Sequence, residues 1–300
     1  SGAWWIIFSF APWRYLHPRP GPPLPPGRSF VAQSAVSLGG TFRALWQLRV
    51  TLAFIVLWSI FSDAAFLIGT VGGLFANSQV SWSCKGLPKP IGIVLVFFLS
   101  PLFGIAGNLG FWRLAERYRW SSRTMLVASL VACSAIPAYG LIGFASQTIG
   151  LRQGWEVVMV AAVYRSVIGP IQAFSRSIFA SLIPRGNEAA FYALYELTNR
   201  GSSAIGPLVL TAIQQSTGEL RWAFIFIISN LIIPAAALLM LDLERGKREA
   251  EAFGAAAAKR AATEGTDAVA VAGGAGGDAD AAWSAVGSAH ERDAAEAARM

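Results

Sequence analysis

Six stretches of this chain run for about twenty residues or more with almost no charge, at about 50–76, 91–112, 124–145, 157–179, 191–214 and 221–241. The hydrocarbon core of a bilayer is about 30 Å thick, and a helix rising 1.5 Å per residue needs roughly 20 apolar residues to cross it. In hydrocarbon, every backbone amide and carbonyl must find a partner within the protein. Runs of this length therefore predict spanning helices, and the chain reads as an all-α membrane protein. Charged residues are 14% of the chain and mean hydropathy is +0.50, whereas a soluble domain carries about 25% charged residues. This balance excludes a soluble enzyme, a disordered regulator and a nucleic-acid binder. The net charge of +7 is scattered between the apolar runs, with no basic stripe of interleaved aromatics.

Those scattered charges predict orientation. Arg14, Arg19, Arg28, Arg43 and Arg49 precede the first segment. Arg113, Arg117, Arg119 and Arg123 follow the second, Arg185 follows the fourth, and Arg245, Lys247 and Arg248 follow the sixth. The alternate loops carry only Lys85 and Lys89, then Arg152, then Arg221. By the positive-inside rule the first set faces the cytosol, so both ends of the six-segment set are cytosolic.

The flanks read differently. Residues 1–13 are apolar but too short to span, and are expected to be the remnant of a spanning helix whose start is missing. Residues 14–49 are expected to be a cytosolic Pro/Arg-rich loop, because the run Arg19-Pro20-Gly21-Pro22-Pro23-Leu24-Pro25-Pro26-Gly27 lacks the amides a helix needs. Residues 245–300 turn to Ala, Gly and scattered charge and are expected to be a disordered cytosolic tail, with Ala250–Ala262 able to form a short surface helix.

No soluble-enzyme motif occurs: there is no Walker loop, G-x-S-x-G, H-E-x-x-H or Cys-x-x-Cys. The chain is expected to be no enzyme and to need no cofactor or metal, since Cys84, Cys133, His17 and His290 lie far apart in sequence. Gly69 and Gly73 have small-xxx-small spacing and are expected to allow close helix packing.

The informative residues are the ionisable groups inside the spans. A charge near the bilayer centre costs at least ~2.5–3.5 kcal/mol, so it usually faces a cavity or a partner. Asp63, Arg165, Gln172, Glu196 and Arg200 are the candidate substrate path. Helical periodicity adds a supporting stripe: Ser59 and Thr70 lie on the Asp63 face, Gly169 and Arg176 on the Arg165 face, and Tyr192, Asn199 and Ser203 on the Glu196 face. Three polar stripes need a common destination, for which a water-accessible cavity is the simplest. A structural reading stands beside this one, with Glu196 neutralising Arg200 at i,i+4, Asp63 paired with Arg165, and Arg176 and Arg185 reaching headgroups. A cavity offering both arginine and carboxylate suits a zwitterion such as an amino acid, and Asp63 or Glu196 could carry a coupling proton.

The run Gly169-Pro170-Ile171-Gln172-Ala173-Phe174-Ser175-Arg176-Ser177 is followed by Leu182-Ile183-Pro184-Arg185-Gly186-Asn187-Glu188-Ala189-Ala190-Phe191-Tyr192, then Tyr195-Glu196 and Ser202-Ser203-Ala204-Ile205-Gly206-Pro207. With Trp4-Trp5 and the proline run, this combination resembles the autophagy-related protein 22 family of vacuole effluxers, within the major facilitator superfamily. The resemblance covers about residues 2–245. It implies the six-helix C-terminal half of a twelve-helix transporter, partnered by a missing N-terminal six-helix half. It also implies vacuole-membrane location and export of amino acids such as leucine after autophagic breakdown, by alternating access. One departure concerns the superfamily's loop pattern Gly-x-x-x-Asp-Arg-x-Gly-Arg-Arg: Glu116-Arg117 stands for Asp-Arg, and Trp112 and Arg119 occupy the glycine positions. Two rival readings are another permease of this fold, moving a sugar, drug or lipid, and a non-transporting membrane scaffold. The mark of the scaffold would be mutually neutralised charges in a dry, packed core.

Overall fold

The computed structural model describes residues 2–15, 29–78, 89–146, 149–202, 204–219 and 221–274. Among them are ten helices: α1 Gly2–Tyr15, α2 Phe30–Gln47, α3 Arg49–Ser78, α4 Lys89–Tyr118, α5 Ser122–Ala145, α6 Gly154–Ser181, α7 Glu188–Ser202, α8 Ile205–Thr217, α9 Trp222–Met240 and α10 Leu243–Gly274. They fall into two compact units, Ser1–Arg43 and Ala44–Met300, of which the second holds α3 to α10.

Helix α3 is the hub of that unit, touching α6, α7, α8, α9 and α10. Apart from the Ser59, Asp63 and Thr70 face its sequence is apolar, and Phe54, Trp58, Phe61, Ala65, Val71 and Phe75 are fully buried along it. So wide an apolar surface has to be enclosed by other helices or by lipid. Helix α5 lies between α6 and α9, while α4 packs chiefly on α6. The outer row of α4, with Phe97, Phe98, Leu102 and Ile105, is exposed, as befits a surface solvated by acyl chains. Five helices are long and apolar enough to cross a membrane: Arg49–Phe75, Ile91–Tyr118, Ser122–Ala145, Gly154–Ser181 and Trp222–Met240. The chain is an all-α membrane protein.

An aromatic stack ties three helices together. The ring of Trp58 on α3 stacks on Tyr195 of α7 at 4.8 Å, and Tyr195 stacks on Phe179 of α6 at 4.6 Å. Each stacked pair adds about 0.5–1.5 kcal/mol beyond its area burial.

Over the expected fifth span 191–214 the described residues form α7, ending at Ser202, and α8, beginning at Ile205, with Ser203 outside the described residues. The polar half, α7, begins where Glu188 accepts the Gly186 amide on both carboxylate oxygens at 3.0 Å. The apolar half, α8, begins at Ile205 and places Pro207 in its first turn, where a missing amide costs least.

Two regions differ from expectation. Helix α2 lies inside the stretch 14–49 expected as loop, because the prolines end at Pro26 and from Phe30 onward each residue again carries an amide. The proline run itself, Cys84 and residues 275–300 lie outside the described residues. The expected disordered tail begins as helix: α10 covers Leu243–Gly274 and includes the Ala250–Ala262 stretch. Small residues one turn apart let it dock. Gly246 packs on Val50 and Leu182, Ala250 is buried, and Gly254 meets the Arg185 backbone.

Candidate functional site

Helix α4 crosses α6 closely because glycines face it. A Cβ on Gly107 would fall within the Ser166 backbone, and one on Gly169 would stand 2.5 Å from Asn108 Nδ2. The Ser166 hydroxyl donates to Phe103 O at 3.1 Å and to Ala162 O at 2.9 Å. Small residues at a crossing give two backbones their closest approach. Of Gly69 and Gly73, expected to allow close helix packing, Gly69 does so against α6, where a Cβ would stand 3.2 Å from the Tyr164 hydroxyl, while Gly72 and Gly73 have nothing within 4 Å.

Those open glycines form one wall of a cavity of about 740 Å³ between α3, α4 and α6. Most of its lining is apolar, including Ile68, Ile93, Val96, Phe97, Val160 and Ile168. The polar exceptions are Ser100, Asn108, Tyr164 and Arg165. A largely apolar cleft with a few placed polar groups is the usual form of a small-molecule site. Arg165 is exposed, and its guanidinium lies 5.8 Å from the Tyr164 ring centroid. Among the described residues it makes no ion pair within 4 Å, so Asp63 is not its partner. Arg165 lines the cavity, and a guanidinium can hold a carboxylate by two parallel hydrogen bonds.

The other expected path residues lie elsewhere. Asp63 faces the start of α8, its Oδ2 lying 2.7 Å from where a Cβ on Gly206 would stand. Glu196 pairs across helices with Arg176 of α6 at 3.2 Å, so the ion pair it makes runs between elements and not along α7. Gln172 is half-buried, with its amide nitrogen unpartnered among the described residues. Arg200 is exposed one turn beyond Glu196. In the supporting stripe, Ser59 donates to Val56 O on its own helix at 2.8 Å and Thr70 is exposed. Tyr192 sits edge-on to Phe179 at 5.5 Å, and Asn199 accepts the hydroxyl of Ser62 at 2.9 Å. Ser203 lies outside the described residues.

Sequence reasoning missed Ser100, Asn108 and Tyr164. Asn108 had a signal, an amide inside an uncharged run beside Gly104 and Gly107. It also missed a buried polar knot at the far end of the bundle. There Arg221 donates to the carbonyls of Gly140 and Gly150 at 2.8 and 2.9 Å, with its guanidinium over the Phe75 ring at 5.3 Å. Beside it, Arg152 donates its amide to Glu156 at 2.9 Å and its guanidinium to Gly143 O at 2.8 Å. This knot ties the loop around Gly150 to the ends of α5 and α9. Among the described residues, no group of His, Cys, Asp and Glu could hold a metal ion.

The family model described as vacuole effluxer Atg22 like matches residues 1–251. Autophagy-related protein 22-1 of Phaeosphaeria nodorum is 35% identical over 272 residues, which is 84% of this chain and 47% of that protein. Autophagy-related protein 22 of Chaetomium globosum is 36% identical over 265 residues, 83% of this chain and 40% of that protein. Its counterpart in Coccidioides immitis is 34% identical over 264 residues, 83% of this chain and 43% of that protein. The chain thus spans less than half the length of each of these relatives. No solved structure matches it. With the family model covering all but the last 49 residues, the chain belongs to the Atg22-like vacuole effluxers.

Proposed function

We propose that this chain is one half of a vacuole-membrane transporter that moves amino acids, leucine among them, to the cytosol after autophagic breakdown. It would be the six-segment C-terminal half of a major-facilitator fold, with both ends of the set cytosolic. The two halves would rock around a mid-membrane site, each opening it to one side in turn. The path would run past Arg165, with Gln172, Glu196, Arg200 and Asp63 on the helices that flank it. No covalent chemistry is involved, so no catalytic residue is assigned.

The observation that carries this reading is the apolar cavity with Arg165 on its wall and, among the described residues, no carboxylate within ion-pair distance of it. An apolar side chain would be solvated by Ile68, Val96 and Ile168, while Arg165 would take the carboxylate, aided by Ser100 and Asn108. A scaffold with a dry, self-neutralised core would have no use for such a space.

The test is leucine efflux from isolated vacuoles carrying the full-length protein, set against vacuoles lacking it and against Arg165→Gln. Efflux should depend on the protein. Arg165→Gln should raise the KM for leucine about tenfold at normal abundance, the expected cost of losing one charge-assisted contact. Efflux that is the same without the protein would sink the amino-acid reading.

A further inference from the structure

Leu151, in the loop before α6, holds a backbone conformation that glycine favours. Its φ is +63°, and Gly150 before it stands at +94°. In this left-handed region the Cβ of an L-residue crowds the following carbonyl oxygen. A leucine persists there only where its surroundings over-determine it.

The polar knot at this end of the bundle does so. The buried Arg221 guanidinium donates to Gly150 O at 2.9 Å and to Gly140 O at 2.8 Å. On the other side of Leu151, Arg152 donates its amide to Glu156 at 2.9 Å and its guanidinium to Gly143 O at 2.8 Å. Gly143 and Gly150 approach so closely that a Cβ on either would collide with the backbone of the other. The residues before and after Leu151 are thus pinned, and the strained one between them is pinned with them.

What the strain delivers is a side chain. A turn that needed only its backbone would be met by glycine without penalty, whereas Leu151 is 3% exposed and belongs to the wall of the cavity that holds Arg165. The antiparallel packing of α3 on α6 shows where along that wall it stands. Thr51, near the start of α3, donates to Leu182 O just past the end of α6, and further along α3 Gly69 meets the Tyr164 hydroxyl. Further still, Phe75 lies beside the Arg221 guanidinium that holds Gly150. From Gly69 to Phe75 the helix rises roughly 9 Å. Leu151 therefore stands at the end of the cavity beside the start of α6, roughly 9 Å along from Tyr164 and its neighbour Arg165.

We propose that Leu151 is a specificity-determining residue: it closes this end of the cavity and limits the length of the apolar side chain that a substrate held by Arg165 can carry. The proposal rests on the transporter reading above and names the residue that sorts amino acids by size.

The test compares efflux of leucine and of tryptophan by the full-length protein in reconstituted vesicles. Leu151→Gly removes the side chain and suits the left-handed backbone, so the ratio of the tryptophan KM to the leucine KM should fall about tenfold against wild type. Leu151→Phe shortens the cavity and should raise that ratio about tenfold. A second measurement needs no flux. A ligand that binds the folded state raises Tm, so tryptophan should raise the Tm of purified Leu151→Gly more than that of wild type. If the ratio is unmoved in both variants while maximal efflux falls alike for both amino acids, Leu151 is a packing residue and the proposal is overturned. A wild-type protein that carries neither amino acid removes the transporter reading and this proposal with it; wild-type efflux with an unmoved ratio removes this proposal alone.

Discussion

Arg119 sits just past the end of α4 with φ at +51°, in the left-handed region that costs an L-residue roughly 1–2 kcal/mol. This is one of the two positions where the resembled loop pattern carries glycine, and the backbone adopts a conformation that glycine takes without penalty. Arg119→Gly should therefore raise stability by about 1 kcal/mol, read as a higher Tm of the purified protein. Arg117→Gly, inside α4, is the control and should lower stability by about 1 kcal/mol. Glu188 gives a pH-dependent counterpart. Its own amide and that of Gly186, with Arg185 nearby, hold its carboxyl below the usual carboxylate range. A depressed folded-state value means stability that is present above the unfolded value and lost as pH falls through the folded one. Glu188→Gln should accordingly lower Tm at neutral pH, and the gap to wild type should close as the solution is acidified below the usual carboxylate range.

The crossing of α4 on α6 rests on glycine at the element scale. Gly107→Val would drive a branched side chain into the Ser166 backbone, whereas Gly110, three residues on, has open space around it. Gly107→Val should destabilise by roughly 1–3 kcal/mol, as overpacking does, and Gly110→Val should not, with thermal unfolding in detergent as the measure. Docking of α10 makes a similar claim. Gly246→Val would collide with Val50 and Leu182, so limited trypsin digestion should cut at Arg245, Lys247 and Arg248 sooner in that variant than in wild type. These elements also show what could be read from the chain. The apolar spans were legible because bilayer thickness imposes their length. In α10 the Ala250–Ala262 stretch was legible as a helix, but its docking was hidden, because the docking face is Gly246, Ala250 and Gly254, small residues that pack well only against a particular neighbour. Arg165 stood out because a mid-span charge is costly enough to need a reason. Asn108 and Tyr164 did not, since what matters about them is the neighbour each meets across a helix boundary. Glu196 and Arg200 suggested a pair at i,i+4, and the partner Glu196 has in the structure, Arg176, comes from a different helix.

At the scale of the molecule, the cavity is walled by α3, α4 and α6 and left open beside the bare outer row of α4. Arg165, Gly72 and Gly73 sit on that wall, and the chain spans less than half of its relatives. An aqueous site that served transport while open to acyl chains would leak, and a lone arginine facing lipid would bear the full cost of its charge. On the proposed reading, a second half placed over this wall would resolve both problems, since transporter sites lie at the interface between repeats. The expected outcome is that this chain alone, in vesicles, gives no leucine flux above empty vesicles. Co-expression with the remaining half of the full-length protein should give saturable flux. Closure should also be visible without flux, because a thiol reagent should label Gly73→Cys quickly in the lone chain and at least several-fold more slowly in the assembled pair. Saturable flux from the chain alone, with Gly73→Cys labelled equally fast in both preparations, would mean that the cavity is complete within these six segments and that the second half covers some other face.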